Sequence, residues 1–170
     1  MPKQSIPVVP VYDAASGDLG QVSDRLREIR GSISRRAFEI FEADGGSCGH
    51  ELDHWFRAES EILQTTPIEI QDFDGTLIVR AEVPGFKAHE IEVMVEPWRL
   101  IVVGKRESKD KRKSDKVSHS EQGTRILRII DFFRKVDIQG VTATLKNGVL
   151  ELTLPKAVVG NAAGIGSKVA

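Results

Sequence analysis

After Thr65-Thr66-Pro67 the apolar residues of this chain change their spacing from three or four to two, and they keep that spacing as far as Lys156. Seven short runs carry it: IEIQDF, TLIVRAEV, EIEVMVE, RLIVVGK, RILRIIDF, VTATL and VLELTL, with Asp-Gly, Pro-Gly, Glu-Pro and Asn-Gly among the breaks. Alternation places every second side chain on one face of a strand, and no helical period interrupts the series. Runs so spaced predict a mainly β fold, an antiparallel β-sandwich. The last two runs form the most regular stretch, ATLKNGVLELTLPK. There Asn147-Gly148 supplies the positive φ angles of a two-residue hairpin, and Leu145, Val149, Leu150, Leu152 and Leu154 divide between core and surface.

The flanks have other characters. Residues 1–20 hold Pro2, Pro7 and Pro10 around the patch IPVVPVY, which predicts a flexible arm able to dock on a sheet edge or on another subunit. From Val22 to Ala43, Val22, Leu26, Ile29, Ile33, Ala37, Phe38, Ile40 and Phe41 recur at helical spacing, with Gly31 leaving open one helix or two. DGGSCG breaks that run, and HELDHWFRAESEIL begins a second helix. The expected units are an arm and helix start over 1–33, a helical hairpin over 34–63, the sandwich over 66–157 and a flexible tail over 158–170. The charged stretch between Lys105 and Gln122 has almost no apolar residues and is expected to be a long solvated loop.

Composition excludes several function classes. With 24 basic and 25 acidic residues the net charge is -1, and the Lys105–Lys116 run interleaves acids and lacks aromatics, so nucleic acid is not an expected partner. The single Cys48 forbids an internal disulfide and suits a reducing compartment. No stretch is long and apolar enough for a secretion signal or a membrane span, so a cytoplasmic protein without membrane contact is expected. Catalytic motifs are missing, and Glu59 and Glu61 read as helix-surface charge, so no enzyme, cofactor or small-molecule substrate is expected. Cys48, His50 and His54 have spacing compatible with a metal, but helix-surface histidines explain them more simply, and no metal site is assigned.

Four blocks in order resemble the α-crystallin domain of the small heat-shock proteins: VRAEVPGFKAHEIEVMVE, RLIVVGKRE, ILRIIDFFRKVD and VTATLKNGVLELTLPK. The most specific piece is Ala143-x-Leu145-x-Asn147-Gly148-Val149-Leu150 followed by Leu154-Pro155-Lys156. The segment from Arg36 to Glu59, with Ala37, Phe38, Glu39, Gly46, Gly49, Leu52, His54, Trp55 and Ala58, resembles a short bacterial module of unknown function.

The resemblance implies an immunoglobulin-like sandwich that dimerises and assembles further, and an ATP-independent holdase that keeps partly unfolded proteins from aggregating. It implies a client- or tail-docking groove at Ile91, Val93 and Val95 on one strand and Val141, Ala143 and Leu145 on another. It also implies a dimer interface at Arg128, with Val117 and Glu121 in the long loop. The sequence departs from the family at Phe132-Phe133, at Pro97-Trp98 and in a tail with one anchor, Ile165, instead of an Ile-x-Ile/Val pair, so smaller or looser oligomers are expected. Phe38, Phe41, Trp55 and Phe56 either form a sticky, client-binding helical face or pack on one another. A non-enzymatic adaptor for one specific partner is the alternative reading.

Overall fold

The computed structural model describes residues 2–12, 18–106 and 124–158. Nine strands and two helices follow in the order β1 (Gln4–Ile6), β2 (Val8–Pro10), α1 (Asp18–Ala43), α2 (Glu51–Ile62), β3 (Ile68–Phe73), β4 (Thr76–Glu82), β5 (Ile91–Glu96), β6 (Arg99–Arg106), β7 (Thr124–Asp131), β8 (Thr142–Lys146) and β9 (Val149–Pro155). Strands β3 to β9 are the seven alternating runs. They form two sheets, β1-β8-β9-β4-β3 and β2-β5-β6-β7, packed face to face as an antiparallel-dominated sandwich.

Alternation fills the space between the sheets. Leu77, Val79 and Ala81 of β4, Val93 and Val95 of β5, Leu100 and Val102 of β6, and Leu150, Leu152 and Leu154 of β9 are all buried in one cluster. Each such side chain contributes about 1.5–3 kcal/mol on leaving water, which makes this interior the main source of stability. The β8–β9 hairpin turns as its residues require: Asn147 has φ 52° and Gly148 φ 73°. Val83 donates a backbone hydrogen bond to the Gly148 carbonyl at 2.7 Å, which ties this turn to the Pro84-Gly85 corner.

The two outer faces differ. On the first sheet, Arg80, Thr144, Glu151 and Thr153 point away from the core, and Arg80 Nε donates to Glu151 at 3.0 Å. On the second sheet the outward positions are Met94, Ile101, Val103 and Leu127, and the first three are buried. Helix α1 covers them. Val22, Ile29, Ile33 and Ile40 share a second core with Val11, Met94, Ile101, Val103 and Ala58 of α2. The sandwich therefore has two apolar layers, one between its sheets and one beneath the helices.

Helix α1 is one helix of 26 residues. It runs through Gly31, where an added Cβ would meet nothing within 4 Å. It ends in the glycine turn at Gly45 and Gly46, whose φ angles are 86° and 70°.

Candidate binding groove

The arm is where the structure differs most from a flexible segment. Strand β1 pairs antiparallel with β8, in the register Gln4 to Leu145, Ser5 to Thr144 and Ile6 to Ala143. The chain then crosses at Pro7 to the other sheet, where β2 pairs in parallel with β5, Val8 to Val93 and Pro10 to Val95. The arm is thus a strap closing one open side of the sandwich. It covers the β8 edge of one sheet and the β5 edge of the other, where unpaired backbone would recruit another strand, while β3 and β7 form the opposite edges. Ile6 is only 2% exposed and belongs to the sandwich core, with Val8 packed against it. A backbone bond from Val11 to the Val95 carbonyl, 2.8 Å, continues the pairing, and Val11 enters the second core.

The groove residues Ile91, Val93, Val95, Val141, Ala143 and Leu145 are all buried in the sandwich core together with Ile6. The sequence brings them together because β5 and β8 lie at the same side of their sheets, and their inward positions converge where the strap inserts. What fits there is read from the strap itself: an extended segment with two branched aliphatic side chains two residues apart. Ile6-Pro7-Val8, within the patch expected to dock on a sheet edge, supplies that pair. The signal was present as an aliphatic-x-aliphatic spacing around a proline, a residue tolerated on edge strands.

Charged groups fasten α1 over the second sheet. Arg25 donates to both oxygens of Glu92 on β5, at 2.7 and 2.8 Å. Glu28 accepts from Lys105 of β6 at 3.0 Å and from Arg125 of β7 at 3.2 Å. The hydrogen bond from Lys105, with that from Arg125, holds the Glu28 carboxyl below the usual carboxylate range against the opposing effect of burial. The groups around it are Arg25, His89, Glu90, Glu92, Lys105 and Arg125. A depressed folded-state pKa gives stability that is present above the unfolded-state pKa and is lost as pH falls through the folded value. Glu28→Gln should therefore melt below the parent chain at pH 7, and the gap should close as the pH is lowered through the carboxylate range. A gap that stays constant with pH in paired melting curves would exclude the charge on Glu28 as its source.

On the opposite side of the sandwich Arg128 is half-buried, and its Nη2 donates to the Thr66 carbonyl at 2.6 Å. Its buried Nε has no partner among the described residues. Of the other dimer-interface and tail residues expected from sequence, Val117, Glu121 and Ile165 lie outside the described residues. At the family departures, Phe132 is buried at 8% exposure while Phe133 is fully exposed, and Trp98 is 55% exposed.

The helical aromatics separate. Trp55 is half-buried against the second core, Phe41 is half-buried with its ring 5.9 Å from that of His54, and Phe38 and Phe56 are about three-fifths exposed, at 59% and 61%. His54 pairs with Asp44 and His50 with Asp53, each at 3.3 Å. Among the described residues no three metal-ligating side chains converge, and no helix is long and apolar enough to cross a membrane.

The architecture is an antiparallel-dominated sandwich with two sheet edges paired by the chain's own arm and a helical pair laid on one outer face. The Hsp20/alpha crystallin family model matches residues 69–165, more than half of the chain, and a second model, the protein of unknown function DUF2934, matches residues 30–64. The chain belongs to the Hsp20/alpha crystallin family, the small heat-shock proteins, which are non-enzymatic chaperones. It is 35% identical over 110 residues to small heat shock protein C1 of Rickettsia bellii, covering 64% of each chain. It is 26% identical over 102 residues to the 18.8 kDa class II heat shock protein of Ipomoea nil, covering 58% of this chain and 61% of that one. The chain thus spans about three-fifths of the length of these curated relatives. Among solved structures, heat shock protein 16.0 from Schizosaccharomyces pombe matches with 25% identity and a TM-score of 0.47, over 55% of this chain and 88% of that one.

Proposed function

We propose that this chain is an ATP-independent holdase that binds partly unfolded proteins and prevents their aggregation. The observation that carries the reading is the groove between β5 and β8, which takes an extended aliphatic segment by adding strands to two sheet edges at once. Extended apolar segments are what unfolding proteins expose, and weak contacts at several such sites sum to useful retention through multivalency. The exposed Phe38 and Phe56 offer a second apolar contact. The family forms homo-oligomers, and self-association here is assigned to the side of Arg128, whose Nε has no partner among the described residues, with Val117 and Glu121 of the charged stretch. The expected compartment is the cytoplasm.

Heating two unrelated aggregation-prone proteins with a near-stoichiometric amount of this chain tests the reading. Both should stay in solution. Indifference to both would remove it in favour of an adaptor for one specific partner. Light scattering on the same sample should give particles smaller or less uniform than a closed 12- or 24-subunit shell, and a monodisperse shell would contradict the assignment of a weakened tail contact.

A further inference from the structure

Strand β5 is engaged twice by parts of the chain that precede the sandwich, along its edge by the strap and on its outer face by α1. Its inward residues Ile91, Val93 and Val95 meet the strap, and its outward Met94 lies beneath α1. Val11 links the two covers, since it extends the strap and is buried in the core that α1 completes. The outward face of β6 is covered in the same way through Ile101 and Val103.

Two kinds of contact fasten this cover. One is apolar packing of Val22, Ile29, Ile33 and Ile40 on Met94, Ile101 and Val103. The other is the charge cluster of Arg25 and Glu28 on α1 with Glu92, Lys105 and Arg125 on three successive strands. Most of these groups are accessible: Arg25 and Glu92 side chains are 46% and 45% exposed and Lys105 is 49% exposed, while Arg125 is 13% exposed. A cleft of about 430 Å³ lined by Pro7, Val9, Arg25, Glu28 and Glu92 brings solvent to the Arg25–Glu92 side of the cluster. Exposed ion pairs are individually worth only about 0.2–1 kcal/mol, so the charged part of the fastening gives way at modest cost and the apolar layer sets the rest. Strand β2 is three residues long, and β1 no longer.

We propose that the strap and the α1–α2 helical pair form one latched cover, and that its opening exposes the edges of β5 and β8 and the outer faces of β5 and β6 to extended aliphatic segments of unfolded polypeptide. The proposal rests on the holdase reading and adds its regulation, giving the DUF2934-like helices the role of a built-in competitor. The occupant is specified by the strap, which shows that the site accepts an extended backbone with aliphatic side chains two residues apart. Cover and client compete for the same edges, so whatever stabilises the latch lowers client capture.

Two variants of the full chain test this in opposite directions. Glu28→Gln weakens the latch. A disulfide between Ser5→Cys and Thr144→Cys, made with Cys48→Ser, locks the strap, because directly opposed antiparallel residues lie about 4.5–5.5 Å apart at Cα, within disulfide range. In amide exchange Glu28→Gln should speed α1 and β2 about fivefold while β9 is unchanged, and it should protect heated clients at a lower ratio than the parent. The oxidised lock should need at least about twice as much protein as its reduced form, the readout of a population shift. Equal protection by oxidised and reduced forms overturns the cover while leaving the holdase reading intact. So does an α1 that exchanges no faster than β9 in both parent and Glu28→Gln. If the parent chain protects neither client, both readings fall together.

Discussion

Ile101→Asp should release the helical pair from the sandwich. On an ordinary sandwich Ile101 would sit on the solvated face, and a carboxylate there would cost little. In this chain it is 3% exposed, on β6 between Met94 and Val103 and under α1. An ionised carboxylate without a partner in such a layer is worth several kcal/mol of destabilisation, and the structure has two ways to respond. The sandwich can unfold, or α1 can lift and let water reach the group. The second is cheaper, because the inner core does not involve this side chain and stays intact. Amide exchange along Val22 to Ile40 should therefore accelerate by about two orders of magnitude or more, equivalent to about 2.7 kcal/mol at 1.36 kcal/mol per tenfold, with β4 and β9 nearly unchanged. The same substitution at Thr142, which is exposed on the outer face of the first sheet, should leave both regions as they were. Equal, small effects at the two positions would mean that α1 does not cover this face in solution.

That asymmetry was partly legible in the sequence. Leu100-Ile101-Val102-Val103 is a continuous apolar run rather than an alternation, and an unbroken run signals a strand covered on both faces. Reading all seven runs as alternating lost this, since the departure spans only four residues. The strands and the Asn147-Gly148 turn were legible because each depends on residues close in sequence. The strap was legible as an apolar arm able to dock on a sheet edge, but not as ordered strands. Its strands are three residues each, too short for a period to show, and Pro7 and Pro10 read as breaks although both lie at edges where a missing N–H costs nothing. Sequence also could not say that Trp55 turns inward and its neighbour Phe56 outward. That choice is made by the placement of α2 against α1 and the sheet, a contact between segments without any shared local signal.

Ile6→Asp should cost no more than removing the strap altogether. Ile6 is only 2% exposed, and a charge placed at a comparably buried position such as Leu152 has no local escape, because β9 is held between β8 and β4. The strap is different. It is attached along only three residues to each sheet, so detachment removes the charge from the interior and returns about 1–2 kcal/mol of backbone entropy per released residue. The loss is then capped at the net contribution of the strap, about 2–4 kcal/mol, or on the order of 4–16 °C in melting temperature for a chain of this size. Deleting residues 2–10 should give the same melting temperature as Ile6→Asp within error, and combining Val8→Asp with Ile6→Asp should add nothing further. Leu152→Asp should prevent folding. Ile6→Ala, which loses packing without introducing a charge, should fall between the parent and the deletion. An Ile6→Asp chain markedly less stable than the deletion would show that the strap cannot leave its groove, and with that the route by which an outside segment could enter it would be closed.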